Sequence, residues 1–450
     1  MESPTPHPET PRRSRRAWLW WVALIAIIPL VPILLFVGKV RGASRYLDEA
    51  RTEARRGIQV YQGKSVRRPP YFEPAVEGDA WPVHAAAIAS IMDDLSAEER
   101  EIIDGDPDAE EDESAKAERK AIIQKLEGKV GALRQGLSHT WVTPDFNWEL
   151  GLEQKTFVFK GQLTFFRALA LVGRERGQEG RQGEALDVLA TGMAIAEDLS
   201  TNGALVAELV KEASQDRLRD EVSTILADHS VPAPALRELL RILEFIDARR
   251  DGIANVMSRE LLCMKVSALT AMDSIAGMNW GLNPMPRYWF SNRVLMADAQ
   301  RTFDRIAEDI ERLRGKSPRE VGDAQPWARH YDNPNPIVSI LAPSMARAWS
   351  SEKRARARST LQKCAVAIAC HQAETGRTPG TLNDLIPKYL ATLPGDPYAK
   401  DGTLAYRIDG HVATVYSLGE DGDDDGGKAA PEDDLGTRDC DIVWTVKRRS

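Results

Sequence analysis

A run without a single charge near the start of the chain constrains it most. Residues 18–38 read WLWWVALIAIIPLVPILLFVG. At a rise of about 1.5 Å per residue this makes a helix of about 31 Å, which matches the hydrocarbon thickness of a bilayer. Trp18, Trp20 and Trp21 stand where an aromatic belt meets the lipid headgroups. Pro29 and Pro32 would kink a soluble helix, but membrane helices tolerate proline because neighbouring groups re-satisfy the freed backbone. A cleaved export signal is the competing reading, and Ser14–Leu19 loosely carries a twin-arginine pattern. The run nevertheless exceeds the roughly 7–15 residues of a signal's apolar region. The sequence therefore predicts a single uncleaved transmembrane helix over 18–38, preceded by a basic, disordered tail over 1–17. Arg12, Arg13, Arg15 and Arg16 precede the run, and Lys39, Arg41 and Arg45 follow it. Four arginines within five positions resist translocation, so the expected N-terminus is cytoplasmic.

The rest of the chain is long enough for two or three domains at 450 residues. A formal net charge of −8 argues against nucleic acid as a partner, since phosphate binding is driven by clustered Lys and Arg. The four cysteines, Cys263, Cys364, Cys370 and Cys440, are too few for a disulfide scaffold and form no CxxC pair. Cys364 and Cys370 share a predicted helix, separated by about 9 Å of rise, so they cannot bridge each other. Buried free thiols are the simple reading; a bridge would have to reach Cys440 or Cys263.

Helical periodicity dominates the middle. Ser44–Gln62 extends the membrane helix, 64–79 is a Pro- and charge-rich connector, and Trp81–Leu95 is a helix. With the acidic run 104–113, these make residues 39–115 a helical connector. Residues 116–345 read as a helical bundle or irregular solenoid. Gly183–Leu199 and Ala204–Leu226 pair across a break at 200–203. Leu236, Leu239, Leu240, Leu243 and Ile246 form the apolar stripe of a helix that starts after Pro232 and Pro234. No second copy appears at a repeat period, so a repeat array is not supported. The aromatic segment 279–292 reads as a packed loop or a partner contact, and 316–343 as a linker.

The pattern changes in the last module, residues 346–450. Ser351–Thr375 reads as a long helix ended by Gly376, and Thr381–Leu390 as a short one. Leu404–Ile408 and Val412–Ser417 alternate like strands around Asp409-Gly410, and Ile442–Val446 is a candidate last strand. The fold class is thus mainly α, with a C-terminal α+β domain of a long helix and a small antiparallel sheet. Over about residues 355–446 this order resembles the periplasmic domain of type II secretion major pseudopilins. The residues that carry the resemblance are ETGRTPGTLNDL, the LPGDPY turn, and a hairpin running into YSLGEDGDDDGG and closed by DCDIVW. The resemblance implies a bacterial inner-membrane protein with its bulk periplasmic or extracellular, and a calcium site in the loop before the last strand. The chain departs from that family in two ways. The membrane run lies over three hundred residues upstream of the module, and no prepilin-peptidase site is visible.

The acidic loop also stands on its own chemistry. Ten acidic and two basic residues lie between Glu420 and Asp441. Calcium takes six to eight oxygens from carboxylates and carbonyls, and such density repels itself unless a cation or solvent screens it. A local ligand set would be Asp421, Asp423, Asp425 and Glu432, which formally match an EF-hand string without its flanking helices. The resemblance implies instead the Leu418 carbonyl, Asp421, Asp439 and Asp441. The seven histidines are scattered, with no HExxH, nucleophile elbow or phosphate loop. His139 and His371 read as surface or packing residues. Three functions follow as expectations. The first is an envelope-anchored structural or interaction protein with a calcium-stabilised C-terminal domain and a protein partner. The others are an accessory of a secretion or pilus-like machine, and an envelope enzyme with its site in the helical region.

Overall fold

The computed structural model describes residues 15–105, 113–153, 157–277, 286–316, 335–429 and 440–447, together with Glu320; for 15–34, 157–160, 271–277, 286–292 and part of 336–348 it describes the backbone alone. Outside this description lie residues 1–14 of the basic tail, most of the acidic run 104–113, Trp280, Glu432 and Asp439.

The chain is mainly helical, with two small sheets. α1 (Arg15–Tyr61) carries the apolar run and continues unbroken through the segment after it. Among the described residues no helix is long and apolar enough to cross a membrane, and the side chains of the predicted span up to residue 34 are not among them. After α1, β1 (Val66–Arg67), β2 (Val76–Asp79) and β3 (His139–Val142) form a mixed sheet in the order β1-β3-β2. α2 (Ala80–Asp93), α3 (Ala97–Asp104) and α4 (Glu113–Leu137) lie between β2 and β3. Asp79 starts α2 by accepting the Trp81 amide at 3.0 Å, and Ser96 and Glu99 close a reciprocal capping box on α3. Residues 39–115 thus contribute strands as well as helices.

Next come α5 (Phe157–Gln178), α6 (Gln182–Ser200), α7 (Leu205–Asp228), α8 (Ala233–Arg249), α9 (Ile253–Gly277) and α10 (Pro286–Glu311). The break between α6 and α7 falls where the sequence places it. α8 starts directly after Pro232 and buries Leu236, Leu239, Leu240, Leu243 and Ile246. α11 (Pro336–Thr375) ends on Gly376, whose φ of 67° lets its N–H cap the Gln372 carbonyl. This 40-residue helix begins inside the segment read as a linker, and the domain boundary at 345/346 falls within it. A short 3₁₀ turn (Leu382–Leu385) leads to β4 (Ala405–Asp409), β5 (Val412–Ser417) and β6 (Ile442–Lys447), an antiparallel sheet in sequence order. The hairpin closes on Gly410-His411, one position beyond the predicted turn, with Gly410 at φ 56°.

Two hydrophobic cores result. The first joins α2–α8, the C-terminal half of α11 and the β4-β5-β6 sheet; Leu218, Leu243, Leu361, Val415 and Trp444 belong to it. The described residues of the C-terminal sheet therefore share the first core with the helices. The second joins α1, α9, α10 and the N-terminal half of α11 through Leu47, Met257, Phe303 and Trp349. Among the described residues, α7 and α11 are the elements that place buried residues in both cores, and a layer of buried charge lies between.

Candidate functional site

The acidic loop leaves β5 and returns to β6. Asp396, from the LPGDPY turn, is 1% exposed and fixes the exit. Its carboxylate accepts from the Ser417 hydroxyl at 2.7 Å, the Tyr398 amide at 2.9 Å and the Leu418 amide at 3.2 Å. Gly419 then turns at φ 72°, and a Cβ there would collide with the Cys440 carbonyl, so the start of the loop packs against the residue before Asp441. Asp421, Asp423 and Asp425 are exposed. Asp421 caps the Asp423 amide at 3.3 Å, and Asp424 accepts from the Tyr416 hydroxyl at 3.1 Å. Asp441 is buried: Oδ2 accepts the Gly427 amide at 2.7 Å, while Oδ1 has no hydrogen-bond partner among the described residues. Burial pushes its carboxyl up, Asp425 and Asp424 add to this, and the Gly427 amide opposes it. The fold thus brings Leu418, Asp421 and Asp441 to one end of the loop. No three described carboxylates of the loop converge closely enough to form a ready-made coordination shell.

Sequence reasoning missed two buried polar clusters. The first centres on Asp198 of α6. Its Oδ2 accepts from Arg68 Nη2 and lies beside His84 Nε2, both at 2.8 Å, and Oδ1 accepts from Arg249 Nη1 at 2.6 Å. Arg68 also donates to the carbonyls of Gly136, Leu137 and His139, closing the C-terminus of α4. Arg249 donates to the Tyr71 hydroxyl at 2.6 Å. The side chains of Asp198, Arg68 and His84 expose no surface, so this cluster ties α2, α4, α6 and α8 together rather than meeting a substrate.

The second cluster is the charged layer between the cores. Lys211 Nζ contacts Glu208 and lies 3.5 Å from both Glu197 and Glu212. Arg219 lies 3.5 Å from Glu212; Arg250 lies 3.4 Å from Glu212 and 3.8 Å from Glu352. Glu208, Glu212 and Glu352 form the one described trio whose oxygens gather within 4.8 Å, as a metal site would require. Lys211 and Arg250 already bring cations to all three, so the trio has its counter-charge from the protein. Burial would raise the Glu212 carboxyl, but Arg250, Lys211 and Arg219 outweigh it and hold it down at about 2. The sequence signal for this layer was the run ELVKEASQDRLRDEV in α7, where acids and bases alternate without a wholly polar face.

An open groove of about 800 Å³ lies between residues 69–73, the end of α4, and α8. Arg134 and Arg241 stand over the Phe72 ring, at 3.9 and 5.9 Å, and are engaged by Asp187 and Glu238. Its described lining contains no histidine or cysteine. His139 and His371 bond to backbone carbonyls, of Gln135 at 2.9 Å and Arg377 at 2.8 Å. The four cysteines are free, and Cys263, Cys364 and Cys370 are buried. No protein-family model, curated protein or solved structure matches this chain.

Proposed function

We propose that this chain is a membrane-anchored protein of the bacterial cell envelope with a structural, protein-binding role. A change of environment along α1 carries the reading. Leu35, Phe36 and Val37 are 70%, 48% and 38% exposed, whereas Val40, Ala43, Leu47 and Ala54, further along the same helix, are buried. Apolar surface exposed at the end of an uncharged run calls for a lipid cover. The helix then enters the second core, where Tyr46 bonds to Asp304, and Arg293 donates to the Ser44 hydroxyl at 2.8 Å. An anchor built into a core in this way would hold the helical platform against the bilayer without a flexible linker. The test uses the full chain in bacterial membranes. It should resist alkaline carbonate extraction, keep its N-terminal residues by intact mass, and be digested by protease only where the periplasmic face is open. Release by carbonate, or loss of residues 1–38, would sink the anchor.

The C-terminal module supports a second, dependent reading, calcium stabilisation of a pseudopilin-like fold. The orphan Asp441 Oδ1 is the favouring observation. Asp441, Asp421 and the Leu418 carbonyl are the described residues that would hold the ion, and calcium would supply positive charge among carboxylates that otherwise repel. They form a partial set, so water or residues outside the described loop would have to complete six to eight ligands. Calcium should raise the thermal midpoint of the full wild-type chain over chelator but leave Asp441→Asn unmoved. An unchanged wild-type midpoint removes the calcium role. Co-purification with secretion proteins would favour the machine-accessory alternative.

A further inference from the structure

The charged layer sits where the two hydrophobic cores meet. On α7 it starts after Ala207 of the second core and runs to Arg219, beside Leu218 of the first; on α11 it falls between Trp349 and Leu361; and between α8 and α9, between Ile246 and Ile253. A polar layer where α7 and α11 pass from one core to the other is a joint. Four carboxylates, Glu197, Glu208, Glu212 and Glu352, are enclosed there with three cations, Lys211, Arg219 and Arg250.

These groups are poorly satisfied by one another. Both oxygens of Glu212, Oε2 of Glu197 and of Glu352, and all three guanidinium nitrogens of Arg250 have no hydrogen-bond partner among the described residues. Orphan donors and orphan acceptors side by side suit water, which would serve both, better than a metal ion, which would stand beside Lys211 and Arg250. The cations are also unevenly shared. Glu212 faces Lys211, Arg219 and Arg250. Glu352 faces Arg250 and, at the rim, Arg356 at 2.6 Å. Glu208 has Lys211 alone, which it shares with Glu197 and Glu212.

We propose that Glu208 is a buried proton-binding site at this joint, and that losing its proton loosens the packing of α7 against α11 between the two cores. Around Glu208 the facing groups are Glu197 from α6, Lys211 and Glu212 from α7 itself, and Glu352 from α11. Arg259 and Glu260 of α9 reach the start of α7, where they bind the Gly203 carbonyl at 2.7 Å and the Leu205 amide at 3.1 Å. α5 and β6 meet α7 further along, through Arg174–Glu221 and Lys447–Asp228. Burial is the main force keeping the proton on, Lys211 opposes it, and Glu352, Glu212 and Glu197 reinforce it, which pushes Glu208 up to about 7. Deprotonation puts a further charge into this buried layer; the layer must admit more water to solvate it, and the cores separate there first.

Two measurements on the full chain in detergent or lipid test this. In infrared spectra, a protonated-carboxyl band should be present at pH 6 and lost by pH 8, and E208Q should lack it. In hydrogen exchange, corrected for the intrinsic rate, the amides of 208–219 and 350–360 should lose protection as pH rises towards the midpoint, by at most about tenfold per unit, and level off above it. In E208Q they should stay flat. If wild type shows no titrating band, or if E208Q loses protection as wild type does, the proposal is overturned. Should E208Q not fold, E352Q removes one carboxylate that disfavours ionisation and should lower the infrared midpoint; an unmoved midpoint overturns it equally.

Discussion

Replacing Asp198 with Asn removes one negative charge and almost no volume. The side chain is fully buried and accepts from Arg68 and Arg249 at 2.8 and 2.6 Å, with His84 at 2.8 Å. Asn keeps an oxygen for one of these groups but leaves two buried guanidinium groups without their counter-ion. Removing one partner of a buried ion pair costs about 3–5 kcal/mol, most of it from the stranded charge. That corresponds to a loss of protection of about 10²–10⁴ for amides that exchange through opening of the first core. Hydrogen exchange of α2, α6 and α8 is the assay, because a chain with two cores need not unfold in one step. The double variant Asp198→Asn, Arg249→Met should lose less than the sum of the single variants, since it strands one guanidinium fewer. Acid gives an independent check. Burial alone would raise the Asp198 carboxyl, but Arg249, His84 and Arg68 outweigh it and hold it well below the ordinary range. A folded value below the unfolded one means stability that is present above about pH 4 and lost as pH falls further. The wild type should show this loss in the first core, and Asp198→Asn should lack that part of it. If the single variant keeps protection within about threefold, charge pairing does not hold this cluster together.

Gly419→Ala should destabilise the C-terminal sheet by about 1–3 kcal/mol, because φ is 72° and the new Cβ meets the Cys440 carbonyl; sheet amides exchanging as in wild type would refute the contact. Asp396→Asn removes the charge that accepts from Ser417, Tyr398 and Leu418, so trypsin should cut faster after the exposed Lys428, and an unchanged rate would mean the loop is held elsewhere. Burial pushes the thiols of Cys263, Cys364 and Cys370 up to about 12, so alkylation of the folded chain at pH 8 should label the more accessible Cys440 first, as read by mass spectrometry. Labelling of the other three ahead of Cys440 would contradict their burial.

Local signals were legible wherever one segment settles its own conformation. The apolar stripe from Leu236 to Ile246 needs only a partner surface, and Pro232 and Gly376 mark helix ends through backbone geometry alone. The β4-β5 hairpin and the final strand were readable from alternation and a glycine turn. The mixed sheet was not. β1 is two residues long, and its partner β3 lies over seventy positions away, so no periodicity marks either. The N-terminal extent of α11 was hidden because Pro336 and Pro343 look like breaks; Pro336 occupies the first turn, where a missing N–H costs nothing.

The candidate sites divide in the same way. Carboxylate density between Asp421 and Asp441 is a property of composition, visible without a fold. Which carboxylate is buried, and that Asp441 keeps an orphan oxygen, depends on where β6 returns beside Gly419. Asp198 carries no local mark, and Glu208 shares only the mixed-charge run of α7 with its neighbours. In sequence each is an acidic residue on a helix, and only segments brought from positions 68 to 352 surround them with guanidinium groups, an imidazole and other acids. The chain by itself determined its helices, its hairpin and one long uncharged run, because propensity, capping and hydrophobic period act within a few residues. The tertiary structure alone decided which charges lost their water, because desolvation and pairing depend on neighbours that the sequence leaves far apart.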